Sequence, residues 1–395
     1  MISLTRYVTL LQAADIRQLF VASLIGRLPI GMTGLAILML VQGSRGSFAA
    51  GGAATGCYVI GLSVIAPFIG RFIDRYGPSI ALRVSAMLFP AALVGLVASV
   101  GREAWFTYAL AVASGASFPP ITACMRTYFR QRLPDAIELA TAYSVESVLI
   151  ELVFIAGPLV VALFMALASP KFAVYFAAGC GSAGAFLFLR SSALRRWRVE
   201  ARSQSHFAGA LSERGFIGLV IVVLCFSMAF GLLEIGVTAY AVGSAEPALA
   251  GVYLGLMSAT SACGGLAYGS RSWPFALGRQ FSVTLALMGL GLALLALADG
   301  GPAFAACSML AGIVMAPVLI IQSVLVAKAV RPQYATEAFT WAASSLLAGI
   351  GIGVAAGGVL LETAAWRAPL LGGAAASLVA AALAALLVLP KPFAR

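Results

Sequence analysis

Charge is scarce in this chain of 395 residues. Asp, Glu, Lys and Arg together make up 10% of the sequence, whereas soluble domains carry about 25%. Hydrophobic residues account for 62%, and the mean hydropathy is +1.01. A soluble globule of this length cannot bury so much apolar surface, so the composition predicts that the chain lies in a lipid bilayer.

Histidine and paired cysteines are also lacking. The single histidine, His206, lies in a polar segment, and the six cysteines fall within apolar runs without a C-x-x-C pair. This pattern argues against a metal site or a disulfide framework. P-loop, H-E-x-x-H and G-x-S-x-G motifs are absent, and GCGSAG at 179–184 lies in an apolar run with no preceding strand. We therefore predict no cofactor and no enzymatic activity, and expect an ion gradient to supply the energy.

Long apolar runs are what the sequence has in abundance. They exceed the roughly ten residues of a membrane β-strand, and only helices or closed barrels satisfy the backbone in hydrocarbon. We predict an all-α membrane protein with twelve transmembrane helices. The predicted spans are 19–42, 48–70, 79–100, 104–128, 138–166, 172–190, 216–242, 248–270, 280–298, 302–328, 337–360 and 368–389.

Lys and Arg are distributed unevenly between the loops. If the N-terminus is inside, the outer loops hold only Arg45, Arg102, Lys171 and Arg367. Positive residues concentrate in cytoplasmic loops, so we predict a multi-pass protein of the bacterial plasma membrane with both termini cytoplasmic. The net charge of +11 then reflects contact with anionic lipids, and we expect no nucleic-acid partner.

One polar segment divides the spans six and six. It runs from 190 to 215, and we predict an N-terminal bundle at 1–190, a cytoplasmic linker at 191–215 and a C-terminal bundle at 216–395.

The two bundles resemble each other in sequence. Gly115 precedes Pro120 by the interval that separates Gly312 from Pro317, and ELATAY has a counterpart in TEAFTW. Two six-helix repeats are typical of secondary transporters, with the substrate site at their interface.

The loop between the second and third spans reads GRFIDRYGPS. Its Gly70, Asp74, Arg75 and Gly77 match G-x-x-x-D-R-x-G and resemble the signature of the major facilitator superfamily, although the basic residues that follow in that family are missing. The resemblance implies its twelve-helix fold and transport by alternating access. It also implies that Asp74 latches the two halves at the start of the eleventh span, and Arg126 is a plausible partner for Asp74.

Gly157 and Pro158 in the fifth span resemble the core of the antiporter motif of that family. Val153 and the pair Val161-Ala162 replace its flanking glycines. We expect a bend or a close contact with the eighth span here. Helix breaks near the gates are expected at the prolines of spans 1, 4 and 10, namely Pro29, Pro119, Pro120 and Pro317.

Four charged residues lie inside apolar spans: Arg27, Glu146, Glu151 and Glu234. A charge at the bilayer centre costs roughly 2.5–3.5 kcal/mol on insertion scales, so each should face a cavity or a partner. Glu146 and Glu151 are separated by about 140° around a helix and cannot share one face. One interpretation is a static pair between Arg27 and a glutamate. The other is a proton-coupling site at Glu146, Glu151 or Glu234, because an unpaired buried carboxylate tends to hold a proton.

The resemblance places several aromatic and polar side chains at the substrate cavity, although helix packing is an alternative for each. These are Tyr58, Phe118, Tyr143, Gln322 and Trp341.

Taken together, these patterns predict a proton-coupled secondary active transporter of a small molecule, acting as an exporter by proton antiport. Uptake by proton symport of an organic anion or zwitterion is the alternative, and a lipid flippase is a further one. The expected partners are the substrate, protons and membrane lipids, and we expect a monomer.

Overall fold

The computed structural model describes residues 10, 12–133, 136–197, 210–269, 273–331 and 335–387. Within these ranges the chain forms fifteen α-helices and one short 3-10 turn at Ala210–Ser212. The helices are α1 (Ala14–Arg45), α2 (Phe48–Tyr76), α3 (Pro78–Ser99), α4 (Ala104–Ala116), α5 (Ile121–Arg132), α6 (Ala136–Leu167), α7 (Pro170–Arg190), α8 (Ser192–Arg195), α9 (Arg214–Gly243), α10 (Leu249–Gly269), α11 (Leu277–Ala296), α12 (Gly301–Gly312), α13 (Met315–Ala329), α14 (Ala335–Thr363) and α15 (Arg367–Leu387).

The predicted all-helical membrane architecture is confirmed. In the described part of the chain, eleven helical segments are long and apolar enough to cross a membrane. The fourth predicted span is the exception, because the chain leaves the helix at residues 117–120 and divides it into α4 and α5. A shorter break at residues 313–314 separates α12 from α13 in the tenth span.

Proline does not have the same effect at every predicted break. Pro119 and Pro120 lie in the break between α4 and α5, where two successive residues lack an N–H group. The expectation of a break at Pro29 is wrong, since α1 runs through this residue. Helix α6 also runs through Gly157-Pro158, and the close contact with the eighth span that was expected there is present, because Gly251 of α10 lies against the carbonyl of Pro158. A single proline removes one helix hydrogen bond, and packing against neighbouring membrane helices tolerates that loss. Pro317 lies in the first turn of α13, where its missing N–H has no helical partner to lose.

Glycines bring helix backbones together within the first half of the chain. Helix α1 packs against α2, α6 and α7, and α3 packs against α7. At the crossing of α1 and α7, a Cβ atom on Gly184 would overlap the backbone of Gly26. Gly61 and Gly115 allow a similar approach of α2 and α4. These small residues give membrane helices van der Waals contact that larger side chains would prevent.

The second half has the same kind of close crossing. Helix α9 packs against α14 and α15, and α11 packs against α15. Gly231 on α9 and Gly353 on α14 each lie against the backbone of the other helix. Gly264 and Gly312 bring α10 and α12 together.

Two seams join the halves, α2 with α14 and α6 with α10. We call the end where α1 and α9 begin the basic end, since Arg132, Arg190 and Arg331 lie there, and the other the far end. The close backbone contacts of both seams lie towards the far end. Gly52 lies against the carbonyl of Val354 in one seam, and Gly251 lies against that of Pro158 in the other.

Towards the basic end, several described side chains of α2 and α6 are exposed. On α2, Ile60, Val64 and Phe68 lie beyond Gly52 and Gly56 along the helix and are exposed. On α6, Val148 and Leu152 are likewise exposed. The close backbone contacts between the halves thus lie towards the far end, and the described side chains of α2 and α6 nearer the basic end include several exposed ones.

The crossing of α1 and α7 supplies a test of the packing. We expect Gly184→Ala to lower the melting temperature of the purified protein by several degrees, because an added methyl group in a packed crossing costs about 1–3 kcal/mol. Gly179→Ala is the matched control, since a Cβ at Gly179 on the same helix meets nothing within 4 Å. Equal melting temperatures for the two variants would contradict the described crossing.

Candidate functional site

A buried cluster of charge lies among α1, α5 and α6. Arg27 on α1 donates from Nη2 to Oε1 of Glu146 on α6 over 2.9 Å, and each side chain is only 1% exposed. Arg126 on α5 donates from Nε to the same oxygen over 2.9 Å and is 55% exposed. We call Arg27, Glu146 and Arg126 the charge triad.

The charge triad contains two cations and one anion. The two positive charges therefore exceed the single negative charge of Glu146. The Nε and Nη1 atoms of Arg27 are buried without a hydrogen-bond partner in the described structure. Removing one member of a buried pair leaves an unpaired charge in the interior, which is strongly unfavourable. The cluster thus fixes α1, α5 and α6 together and carries one excess positive charge that faces solvent at Arg126.

Glu234 has a different environment. It lies on α9 and is partly buried, and its Oε1 lies over Gly34 of α1, 3.5 Å from the position that a Gly34 Cβ would occupy. No ion pair or hydrogen bond to its carboxylate occurs in the part of the chain that the structure describes. Thr238 bonds only the backbone carbonyl of Glu234. This carboxylate thus lies between the two halves without a counter-charge.

The charge triad and Glu234 lie along one face of α1. Arg27 and Gly34 are two helical turns apart, which places them on the same side of the helix and about 10 Å apart along its axis. Thr55 of α2 donates to the carbonyl of Gly34 over 3.2 Å and adds a hydroxyl near Glu234. Along this face of α1, the excess positive charge of the triad therefore lies nearer the basic end, and the carboxylate of Glu234 on α9 lies nearer the far end.

The predicted cavity residues are mostly packed. Tyr58 is buried with its hydroxyl beside Thr33, and Phe118 is buried edge-to-face against Phe89 at 5.3 Å. Gln322 is buried, and its Oε1 has no hydrogen-bond partner in the described structure. Trp341 packs in the second-half core and donates to Glu337 over 3.4 Å.

One of the five predicted cavity residues and one of the predicted buried charges can be assigned no further. The side chains of Tyr143 and Glu151 lie outside the described part of the structure, although both residues belong to α6. Their predicted roles stay predictions.

The signature loop lies at the basic end. Gly70 belongs to α2, and Gly77 ends that helix with a φ of 79° that favours glycine. The side chains of Asp74 and Arg75 lie outside the described residues, so the latch and its pairing with Arg126 stay predictions. Arg126 is bonded to Glu146, and Gly157 of the antiporter-like pair packs against the backbone of Gly31 on α1.

Sequence reasoning missed a second charged cluster. Asp15 is buried at the start of α1 and accepts hydrogen bonds from Tyr128 over 2.7 Å, from Arg132 over 3.1 Å and from Arg196 over 3.4 Å. In the second half, Glu213 just before α9 pairs with Arg331 just after α13 at 3.2 Å. The signal was present, because the acid and the arginine recur in both halves at nearly the same offset.

Comparison with known proteins bears on the family and the fold. A sequence profile described as Major Facilitator Superfamily matches residues 19–298. A crystal structure of the nucleoside transporter NupG aligns with a TM-score of 0.75 at 16% identity, covering 95% of this chain and 100% of that one. A mutant of NupG aligns equally well at 17% identity, covering 94% and 99%. No curated protein sequence matches the chain, and at these identities the structural likeness shows the fold alone.

The charge triad makes a prediction about stability. We expect Glu146→Leu to destabilise the protein by about 3–5 kcal/mol, because Arg27 is left buried without an anion. The double variant Arg27→Met with Glu146→Leu should recover much of the loss, and Arg126→Gln should have a small effect because that side chain is half exposed. Chemical unfolding in detergent measures all three. Strictly additive effects of the Arg27 and Glu146 changes would disprove their coupling.

Proposed function

The chain belongs to the major facilitator superfamily, and on that premise we propose that it moves a small molecule across the bacterial plasma membrane by proton-coupled alternating access. The observation that supports this proposal is the position of Glu234, whose carboxylate lies at the interface of the two halves and has no ion pair or hydrogen bond within the described part of the chain. An acid in this position can exchange a proton whenever the interface opens.

The rocking units in this proposal are 1–190 and 216–395, joined by the linker 191–215. Their equivalence is supported by paired features of the two halves. Each half has a broken fourth helix, and each joins the start of its first helix to the end of its fourth by an ion pair, Asp15 with Arg132 and Glu213 with Arg331. Two similar rigid units suit a mechanism in which one rocks against the other.

The conformation corresponds to an inward-facing state if the basic end is cytoplasmic. The positive-inside rule supports that orientation. The seams have their close contacts at the far end around Gly52 and Gly251, and we place the opening at the basic end, where several described side chains of α2 and α6 are exposed. Transport then requires the far-end contacts to separate while the basic end closes.

Glu234 serves as the coupling residue in this scheme, while Glu146 positions α1, α5 and α6. Two arginines neutralise Glu146, so a proton there would have to displace existing ion pairs. Burial without an opposite charge favours the protonated form of a carboxylate, and access to water favours its ionised form. Opening the far end would therefore change the proton affinity of Glu234, which lies between the two halves. Glu151 remains a second candidate for coupling.

We assign export by proton antiport as the first direction. The pair Gly157-Pro158 supports it, because it lies where three helices meet: Gly157 packs on Gly31 of α1, and the carbonyl of Pro158 lies against Gly251 of α10. This is the helix segment that resembles the antiporter motif, and it contributes directly to one of the two seams.

Uptake of an organic anion or zwitterion by proton symport is the second candidate. The excess positive charge of the triad favours it, because Arg126 is 55% exposed and guanidinium groups bind carboxylates in a two-point geometry. NupG is described as a nucleoside transporter, and we include nucleosides among the substrates to be tested.

The coupling role of Glu234 can be tested in proteoliposomes. We expect Glu234→Gln to abolish transport driven by a pH gradient while leaving substrate exchange at equilibrium intact, because an amide cannot carry the proton. Glu246→Gln is the matched control, since Glu246 lies exposed in the loop after α9. Undiminished gradient-driven transport by Glu234→Gln would rule out this residue, and the same assay of Glu151→Gln would then decide between them.

The direction and charge of the substrate can be tested in the same vesicles. For an antiporter, substrate should move in the direction opposite to the protons, and for a symporter it should move in the same direction as the protons.

If the substrate is anionic, Arg126→Gln should weaken its apparent affinity by about tenfold or more, the effect of one lost charge-assisted hydrogen bond. An unchanged affinity for every anionic substrate would contradict the second candidate.

A further inference from the structure

A groove lies at the basic end of the molecule between α1 and α7. Its volume is about 300 Å³. It is lined by Arg17, Gln18, Val21, Leu187, Arg190 and Ser191. This groove, which we call the α1–α7 groove, shares no residue with the charge triad or with Glu234.

Two arginines flank the α1–α7 groove. Arg17 at the start of α1 and Arg190 at the end of α7 are both exposed, and neither forms an ion pair in the described ranges. The guanidinium of Arg190 lies over the ring of Phe186 at 4.3 Å from its centroid. This stacking holds one of the two cations in place while leaving its hydrogen-bond donors available.

An apolar path leads from the arginines along both helices. Val21 and Leu24 follow Arg17 on one face of α1 at helical spacing, and Leu187 lies one turn before Arg190 on α7. All three apolar side chains are exposed. Because α1 and α7 both have the length and hydropathy of membrane spans, these side chains face lipid acyl chains rather than water.

A polar contact closes the top of the α1–α7 groove. The Oε1 of Gln18 accepts hydrogen bonds from the backbone N–H of Ser192 over 3.1 Å and from its hydroxyl over 3.3 Å. This contact joins α1 to the start of α8.

We propose that the α1–α7 groove binds one anionic phospholipid, with its phosphate between Arg17 and Arg190 and an acyl chain along Val21 and Leu187. Charge complementarity at the depth of the lipid headgroups favours this ligand, and the apolar path continues from the arginines into the hydrocarbon. A soluble anion would use the arginines and would gain nothing from the exposed apolar side chains. The proposal is independent of proton coupling and of the transported substrate.

The corresponding place in the second half is filled by the protein itself. There α9 and α15 meet at the basic end, and the side chain of Leu387 packs on Gly218 at 3.2 Å from the position of a Cβ. A leucine at the end of α15 thus occupies the space that remains open beside Arg190 at the end of α7. The lipid site is therefore expected once per molecule.

The test uses the full chain, purified in a neutral detergent, and native mass spectrometry with phosphatidylglycerol or phosphatidylcholine. We expect one phosphatidylglycerol to remain bound preferentially. Arg17→Gln with Arg190→Gln should weaken that binding about tenfold more than the control pair Arg83→Gln with Arg279→Gln. The control arginines are exposed at the same end, and Arg279 lies over Phe275 as Arg190 lies over Phe186.

A second variant separates the groove from general surface charge. Leu187→Trp fills the apolar path and keeps both arginines, and we expect it to displace phosphatidylglycerol as strongly as the double arginine change does. Equal losses for the two arginine pairs, or full binding by Leu187→Trp, would overturn the proposal in favour of diffuse attraction. Displacement of the lipid by millimolar glycerol phosphate would identify a soluble phosphate as the ligand and would overturn it as well.

Discussion

The ion pair between Arg27 and Glu146 determines how the first half is built. Neither group is tolerated alone in a protein interior between membrane helices, so α1 and α6 have to meet at the height where both are buried. Arg126 then joins from α5, and this requires the chain to re-enter a helix after the break at residues 117–120. A single electrostatic constraint thus relates three helices. It does so in the half that also carries the signature loop.

Glycine provides the complementary constraint between helices. At the crossing of Gly26 with Gly184 the helices approach closely inside one half, so a movement of one half against the other leaves this contact unchanged. At Gly52 and Gly251 the same kind of contact joins the two halves. Among the described residues, the seam contacts depend on backbone proximity and contain few side-chain bonds, of which Ser47 with Glu362 at 3.3 Å is an exposed example. Such interfaces can separate without leaving buried polar groups unpaired.

Sequence patterns predicted the helices well because each span depends on local composition. The limits of the apolar runs and of the helices agree within a few residues at most ends, and the double proline at Pro119-Pro120 correctly predicted a break. Tertiary pairing was harder to predict. Asp15 lies in a short polar stretch near the N-terminus, and nothing local indicates that Arg132 and Arg196 converge on it. Pro29 shows the same limitation, because surrounding helices decide whether one lost hydrogen bond interrupts a span.

Five of the charged residues lie in three different environments, and the environment limits what each of them can do. Arg27 and Glu146 neutralise each other inside one half, so their surroundings stay the same when the halves move as units. Arg17 and Arg190 are exposed at the basic end and form no ion pair within the described ranges. Glu234 alone among these groups lies on one half against a backbone of the other. Separation of the halves changes its solvation directly, and a group that couples a proton to such a movement has to lie where the movement alters its solvation. The position of Glu234, rather than its burial alone, therefore makes it the stronger candidate than Glu146.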